Sequence, residues 1–361
     1  MKELINKSKE LSQVLMQNNL QPDELGLFHG KMGLSIYFFH LTKQSKDIKY
    51  NDHAEKLISE LYEYIGKSQI STDFQNGLAG IGWGLNHIIS QGFVEADIDE
   101  VLIELDDKIY KFLISEKEKL PISIDQGIMG YLFYFFCRLK ERGSNNIDYN
   151  TFILQRVMID LINILGQTIE EGKYQSRPPT IFNITWDLPI ILFLLAKVRS
   201  LNIYNTKIDR ILEILTPIIL SSFPQLNSTR LSLLFGIESV LQVVNLNSWK
   251  SHANFIKMNL NISEISENEL RNKNVHLIDG LAGINLISTS LYNLTHDERY
   301  ILDNSVMMKK INASNYWEEI DRETYKNPGG SGLLYGLSGV GMFLLELLGK
   351  EMGNSIDSTI T

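Results

Sequence analysis

Two hydrophobic patterns take turns along this chain. In the first, apolar residues recur every three and four positions with charges between them, as in HAEKLISELYEYI, DIDEVLIELDDKIYKFLI, FILQRVMIDLINILGQTI and KIDRILEILTPIILSSF. That spacing gathers the apolar side chains on one stripe and predicts amphipathic helices with one solvated face. In the second, the apolar run is nearly unbroken, as in LSIYFFHL, IGWGLNHII, YLFYFFCRL, INLISTSLY and VGMFLLELL. Such runs predict helices buried on all sides. Period-two alternation is scarce, so little β-structure is expected and the chain reads as all-α.

The buried runs share an opening: a polar residue, Gly, two residues, Gly. It occurs at His29-Gly30-Lys31-Met32-Gly33, Asn76-Gly77-Leu78-Ala79-Gly80, Gln126-Gly127-Ile128-Met129-Gly130, Asp279-Gly280-Leu281-Ala282-Gly283 and Tyr335-Gly336-Leu337-Ser338-Gly339. Two weaker copies, around Leu188 in Trp186-Asp187-Leu188-Pro189 and around Gly236 in Leu234-Phe235-Gly236-Ile237, fill the longest gap. Anchors at Gly30, Gly77, Gly127, Leu188, Gly236, Gly280 and Gly336 give seven copies over nearly the whole chain, and residues 1–361 read as one repeat domain. Each unit is an outer amphipathic helix, a loop and an inner buried helix. Small residues one turn apart predict close approach of an inner helix to its neighbours. Asn76 and Asp279 read as N-caps, and Pro189 suits a first helical turn.

Composition narrows the function classes. The chain has 361 residues and a net charge of −9, from 43 acidic against 34 basic side chains, which argues against a nucleic-acid footprint. The N-terminal MKELINKSKELSQVLMQ lacks the apolar core of a secretory signal. Apolar stretches at 122–139, 181–198 and 332–349 are interrupted by Asp125 and Gln126, by Asp187, and by Ser338 and Glu346. Buried helices explain them, so no membrane span and a cytoplasmic location are expected. The single cysteine, Cys137, excludes an intramolecular disulfide and any multi-cysteine zinc site.

Seven helical hairpins whose inner helices open on G-x-x-G, with GLFHGKMGLSIYFF and GLAGIGWGL among them, resemble the lanthionine synthetase C-like family from about Gly26 to Leu348. The resemblance implies an α/α toroid, seven inner helices ringed by seven outer ones. It also implies a chemistry: a precursor-peptide cysteine adds to a dehydrated serine or threonine and closes a thioether ring. In the family a zinc ion deprotonates the thiol, held by one cysteine of W-C-Y-G and by the Cys-His pair of C-H-G. Aligned on the motif glycines, the first cysteine position is Leu234 in Leu233-Leu234-Phe235-Gly236. The second cysteine position is Ile278 and the histidine position Asp279, in Leu277-Ile278-Asp279-Gly280. Leucine and isoleucine cannot ligate zinc, so no zinc and no other cofactor is expected, and the metal ligands read as none.

The candidate chemical groups are therefore Asp279, His276, His29 and Asp187. His276, Asp279 and His29 could meet at one mouth if their helix starts converge. Asp187 stands where active relatives carry histidine, and burial would raise its carboxyl into a proton-shuttling range. Each also has a structural reading, as a cap or a loop residue. Cys137, inside YLFYFFCRL, reads as a core residue rather than a nucleophile. Three functions follow. The first is a zinc-free pseudo-cyclase of lanthipeptide-type maturation that binds a precursor peptide or a peptide-modifying enzyme, offering it the open N–H groups of its inner-helix starts. The second is an active cyclase with a noncanonical site, and the third a carbohydrate-active α/α toroid.

Overall fold

The computed structural model describes residues 2–17, 20–21, 23–66, 69–142, 148–270, 274–315, 317 and 328–351. These contain no β-strand. Amphipathic and buried helices alternate along the chain. The amphipathic set is α1 (Lys2–Gln17), α3 (Ile48–Ile65), α5 (Ile98–Glu116), α7 (Tyr149–Glu170), α9 (Asn205–Ser221), α11 (Asn247–Met258) and α13 (Asn304–Asn312). The buried set is α2 (Lys31–Ser45), α4 (Leu78–Ser90), α6 (Ile128–Arg142), α8 (Asp187–Ser200), α10 (Asn227–Leu241), α12 (Leu281–Thr295) and α14 (Leu337–Glu351). The four amphipathic segments read from the sequence fall on α3, α5, α7 and α9. One of them, α7, is long and apolar enough to cross a membrane by length and composition. Its buried residues, among them Leu154, Val157, Met158, Leu161, Ile162 and Leu165, form one stripe, and the helix packs against α6 and α9.

The chain divides into two compact units, the first from Met1–Asp106, Asn272–Gly283 and Lys309–Thr361, the second from Asp107–Arg271 and Ile284–Met308. In the first, α2 packs on α3 and α4, while α14 packs on α1 and α2, so the last repeat lies against the first. In the second, α6 lies against α7 and α8, and α8 against α10.

Outer and inner helices solve their N-terminal hydrogen bonding differently. The outer helices α3, α7 and α13 use a carboxylate: Asp47 accepts from Lys49 N–H (3.2 Å), Asp148 from Thr151 N–H (2.6 Å) and Asp303 from Ser305 N–H (2.7 Å). Inner helices begin in the interior, where an unpaired carboxylate is costly. At α2, α4, α6 and α12 the first N–H donates instead to a backbone carbonyl seven residues earlier: Lys31 to Glu24 (2.9 Å), Leu78 to Ser71 (2.9 Å), Ile128 to Pro121 (2.9 Å) and Leu281 to Asn274 (3.0 Å). At α4 the next two N–H groups follow suit, Ala79 to Thr72 (3.2 Å) and Gly80 to Asp73 (3.4 Å). The loop thus doubles back over the helix start.

This clasp is why the motif needs glycine. A Cβ on Gly77 would overlap the Ser71 carbonyl oxygen, and one on Gly80 the Phe74 carbonyl oxygen. The glycines therefore make room mainly for their own loop, not for the neighbouring helix as expected. Nor do the motif's polar residues cap: the N-cap positions of α2 and α4 are Gly30 and Gly77, and neither has a side-chain cap.

The fifth repeat departs from the expected register. Gly236 lies inside α10, not at its start, because α10 begins at Asn227. Its opening is held by the Glu269 carboxylate, which accepts from Asn227 N–H (2.6 Å), Ser228 N–H (2.9 Å) and the Ser228 hydroxyl (2.6 Å). At Gly236 the helix-approach expectation does apply, since a Cβ there would come 2.9 Å from Pro189 Cα on α8. The anchor Leu188 sits in the first turn of α8, as does Pro189.

Between α2 and α4, residues ten positions past Gly30 and Gly77 meet: His40 Nε2 and His87 Nε2 are 2.9 Å apart. Trp83 stacks on His87, and Phe93 meets His40 edge-on. Burial pushes His40 down to about 3 and His87 down to about 4, and the nearby Lys43 charge adds to both.

Two consequences are measurable. Gly80→Ala should destabilise by about 1–3 kcal/mol, whereas Gly66→Ala, whose nearest neighbour is the Tyr62 carbonyl oxygen at 3.7 Å, should stay within about 0.5 kcal/mol. Equal effects in denaturant titrations would remove the clasp as the reason for the motif. Because both imidazoles are held neutral below their unfolded value, the unfolded chain binds the extra protons. Stability should be complete above pH 6.5 and fall between there and pH 4, by up to about 1.4 kcal/mol per pH unit for each histidine. A His40→Phe/His87→Phe protein whose stability keeps the same slope would contradict this.

Candidate functional site

The turns ahead of the inner helices carry the candidate residues. In the first unit these turns are strung together by backbone hydrogen bonds: Ile278 N–H to Leu334 O (3.2 Å), Leu333 N–H to Leu27 O (3.4 Å) and Phe28 N–H to Gln75 O (2.9 Å). The sixth, seventh, first and second repeats are thereby joined in series at their tips. His29 is half-buried in its turn and stacks on Tyr335 of the seventh repeat, with centroids 4.6 Å apart and planes at 16°.

His276 and Asp279 share one loop, organised by Asn274. Its Oδ1 accepts from His276 N–H (2.8 Å), its Nδ2 donates to Asp279 Oδ1 (2.5 Å), and its own carbonyl receives the first N–H of α12. Asp279 thus bonds a loop amide, rather than the helix N–H that an N-cap would bond. Asn274 escaped the sequence reading, although asparagine two residues ahead of a turn is the recognisable signature of an Asx-turn.

In the second unit, Asp187 is the first residue of α8, and the N-cap position belongs to Trp186. The carboxyl is half-buried, and burial raises it to about 6, with the Asp125 charge adding to the effect. Asp125 stands in the bend before α6, the helix that packs beside α8. In the sequence Asp125 reads only as an interruption of an apolar run. Its partner lies 62 residues on, and only the packing of α6 on α8 pairs them. Tyr174, itself buried, lies within electrostatic reach of Asp187, and burial pushes its phenol well above the usual range. Cys137 is half-buried rather than in the core, with Lys197 of α8 within electrostatic reach.

The donor set does not suit zinc. Leu234 is fully buried within α10, and Ile278 carries only a hydrocarbon side chain. Correcting the register of the fifth repeat changes nothing here. The position two before the residue preceding α10 is Pro224, which offers no ligand either. Among the described residues no three His, Cys, Asp or Glu side chains converge closely enough to hold a metal ion.

With the geometry in place, comparison with solved structures finds nisin cyclase. The match has a TM-score of 0.69 at 13% identity and covers 95% of this chain and 94% of that one. The shared fold is an α/α toroid, all-helical, and the alternation of seven inner and seven outer helices described above is consistent with it. No protein-family model matches the chain, and no curated protein matches it in sequence.

The Asp125–Asp187 pair can be titrated directly. Carboxyl NMR should give Asp187 a midpoint near 6, and Asp125→Asn should lower it without restoring the ordinary value, because burial remains the larger cause. An unchanged midpoint in Asp125→Asn would show that the two carboxyls do not interact.

Proposed function

We propose that this chain is a lanthionine synthetase C-like protein of lanthipeptide-type maturation, acting in the cytoplasm as a zinc-free pseudo-cyclase that binds a precursor peptide or its modifying enzyme. The observation that carries the reading is the fold shared with nisin cyclase over 95% of the chain. Its zinc-free character is supported by the donor set, since neither Leu234 nor Ile278 offers a thiolate and Cys137 is the only cysteine.

The mode of peptide binding in this reading differs from the one expected from sequence. At α2, α4, α6 and α12 the first N–H groups already donate to loop carbonyls, so there a peptide would meet the turn side chains rather than open helix ends. His29 with Tyr335, and Asp279 held by Asn274, are such side chains in the first unit. A second reading, an active cyclase with a noncanonical site, is favoured by one observation: a carboxyl raised to about 6 at Asp187 could exchange protons at neutral pH. The carbohydrate-active alternative has the Asp125–Asp187 pair in its favour but not the fold likeness.

Co-expression with a dehydrated, cysteine-containing precursor distinguishes these readings. The precursor should co-purify with this chain, its thiols should remain open to alkylation by mass spectrometry, and the purified protein should contain no stoichiometric zinc. Loss of those thiols, restored by Asp187→Asn or Asp279→Ala, would replace the pseudo-cyclase reading with the second one.

A further inference from the structure

Several partly buried carboxylates on this chain are matched by a cation, and others, Glu269 and Asp279 among them, by neutral donors. Glu238 meets Lys257 at 2.6 Å, Glu170 meets Lys207 at 2.7 Å, Asp160 meets Lys117 at 2.6 Å and Asp209 meets Arg199 at 2.7 Å. Among the described residues Asp187 has neither, and Asp125 has no cation. They are half-buried, the Asp125 charge reaches Asp187, and no described lysine or arginine pairs with either. Asp125 Oδ1 accepts one backbone N–H, from Gln126 (2.8 Å). Burial and the Asp125 charge both disfavour ionisation of Asp187, and a cation placed between the two carboxyls relieves the conflict.

A second observation lies beside the first. Trp186, 7% exposed, and Tyr174, 9% exposed, bury an indole N–H and a phenol O–H that have no hydrogen-bond partner. Trp186 adjoins Asp187 in the chain, and the Tyr174 phenol lies within reach of the Asp187 charge. The Ser176 hydroxyl is close to that phenol without meeting hydrogen-bond geometry, and it too lacks a partner. Buried donors without acceptors are uncommon, because each has given up water for nothing in return.

We propose that Asp125, Asp187, Tyr174 and Trp186 form a binding site for a basic peptide side chain, lysine or arginine, with the carboxylates taking the cation and the indole and phenol donors taking a peptide carbonyl oxygen. The chemistry of the lining favours an organic cation over a metal ion. Aromatic faces attract ammonium and guanidinium groups, whereas a divalent ion wants more oxygen ligands than two carboxylates provide. Indole N–H and phenol O–H can donate to the carbonyl of a bound peptide. The peptide in this assignment rests on the function proposed above; the positive charge rests on the carboxylate pair alone.

The test uses the full-length protein at pH 8, with acetyl-Gly-Lys-Gly-amide, its arginine counterpart, its uncharged norleucine counterpart and calcium chloride as separate probes in calorimetric titrations. The lysine and arginine peptides should bind at least about tenfold more tightly than the norleucine peptide, as expected for a charge-assisted contact. Asp187→Asn and Asp125→Asn should each remove most of that preference. Trp186→Phe, which keeps the ring and loses the N–H, should weaken all three peptides alike. Thermal melts of the variants ensure that a loss is not unfolding. Equal binding of the norleucine peptide, a preference that survives both Asn variants, or carboxylate-dependent calcium binding without peptide binding would each overturn the proposal. The outcome is separable from that of the precursor experiment. A precursor that co-purifies while the lysine probe fails removes this site alone, and a lysine probe that binds while no precursor is retained removes only the maturation reading.

Discussion

The interaction on which the rest depends is the hydrogen bond from the start of a buried helix to a carbonyl of its own preceding loop. An α-helix leaves its first N–H groups without intrahelical partners, and in the interior no water supplies acceptors. A charged cap serves the exposed starts of α3, α7 and α13 but would be costly at the buried starts of α2 and α4. Folding the loop back supplies neutral acceptors, and the loop can lie that close only where the helix carries hydrogen instead of a Cβ. Once in place, the same loops bond to one another, from Ile278 to Leu334, Leu333 to Leu27 and Phe28 to Gln75. The loops that satisfy these helix starts therefore also dock the seventh repeat on the first.

That solution shapes the chemistry. Helix starts whose N–H groups are already engaged are poor receptors for an anion or an extended backbone, so function passes to side chains on the turns. In the first unit they are rigidly set, His29 by stacking on Tyr335 and Asp279 by the Asn274 amide. In the second unit the start of α8 is less well satisfied. Among the described residues the half-buried Asp187 carboxyl has no cation beside it, and the buried Tyr174 and Trp186 donors have no hydrogen-bond partner.

How much of the site could be read in advance follows from the range of each interaction. Asp187 was legible because its place before a buried helix is local. Asp125 was not, since its meaning comes from Asp187, 62 residues away. Gly236 misled for a related reason. A glycine before an apolar run looks the same whether it admits its own loop or a neighbouring helix, and here the neighbour is Pro189. The true start of α10 is marked by Asn227 and Ser228, but their partner Glu269 is more than 40 residues away in the chain.

By itself the sequence determined the helical class, the alternation of buried and amphipathic helices, the positions of most inner-helix starts and the absence of the thiolates that a zinc site would need. All of these rest on composition or on patterns repeating within a few turns of helix. Tertiary structure alone decided what the glycines are for, that the last repeat closes on the first, that two histidines share a hydrogen bond and that the Asp125 charge bears on a half-buried Asp187. Each of these depends on which helix packs beside which, and hydrophobic spacing says that a face is buried without saying what buries it.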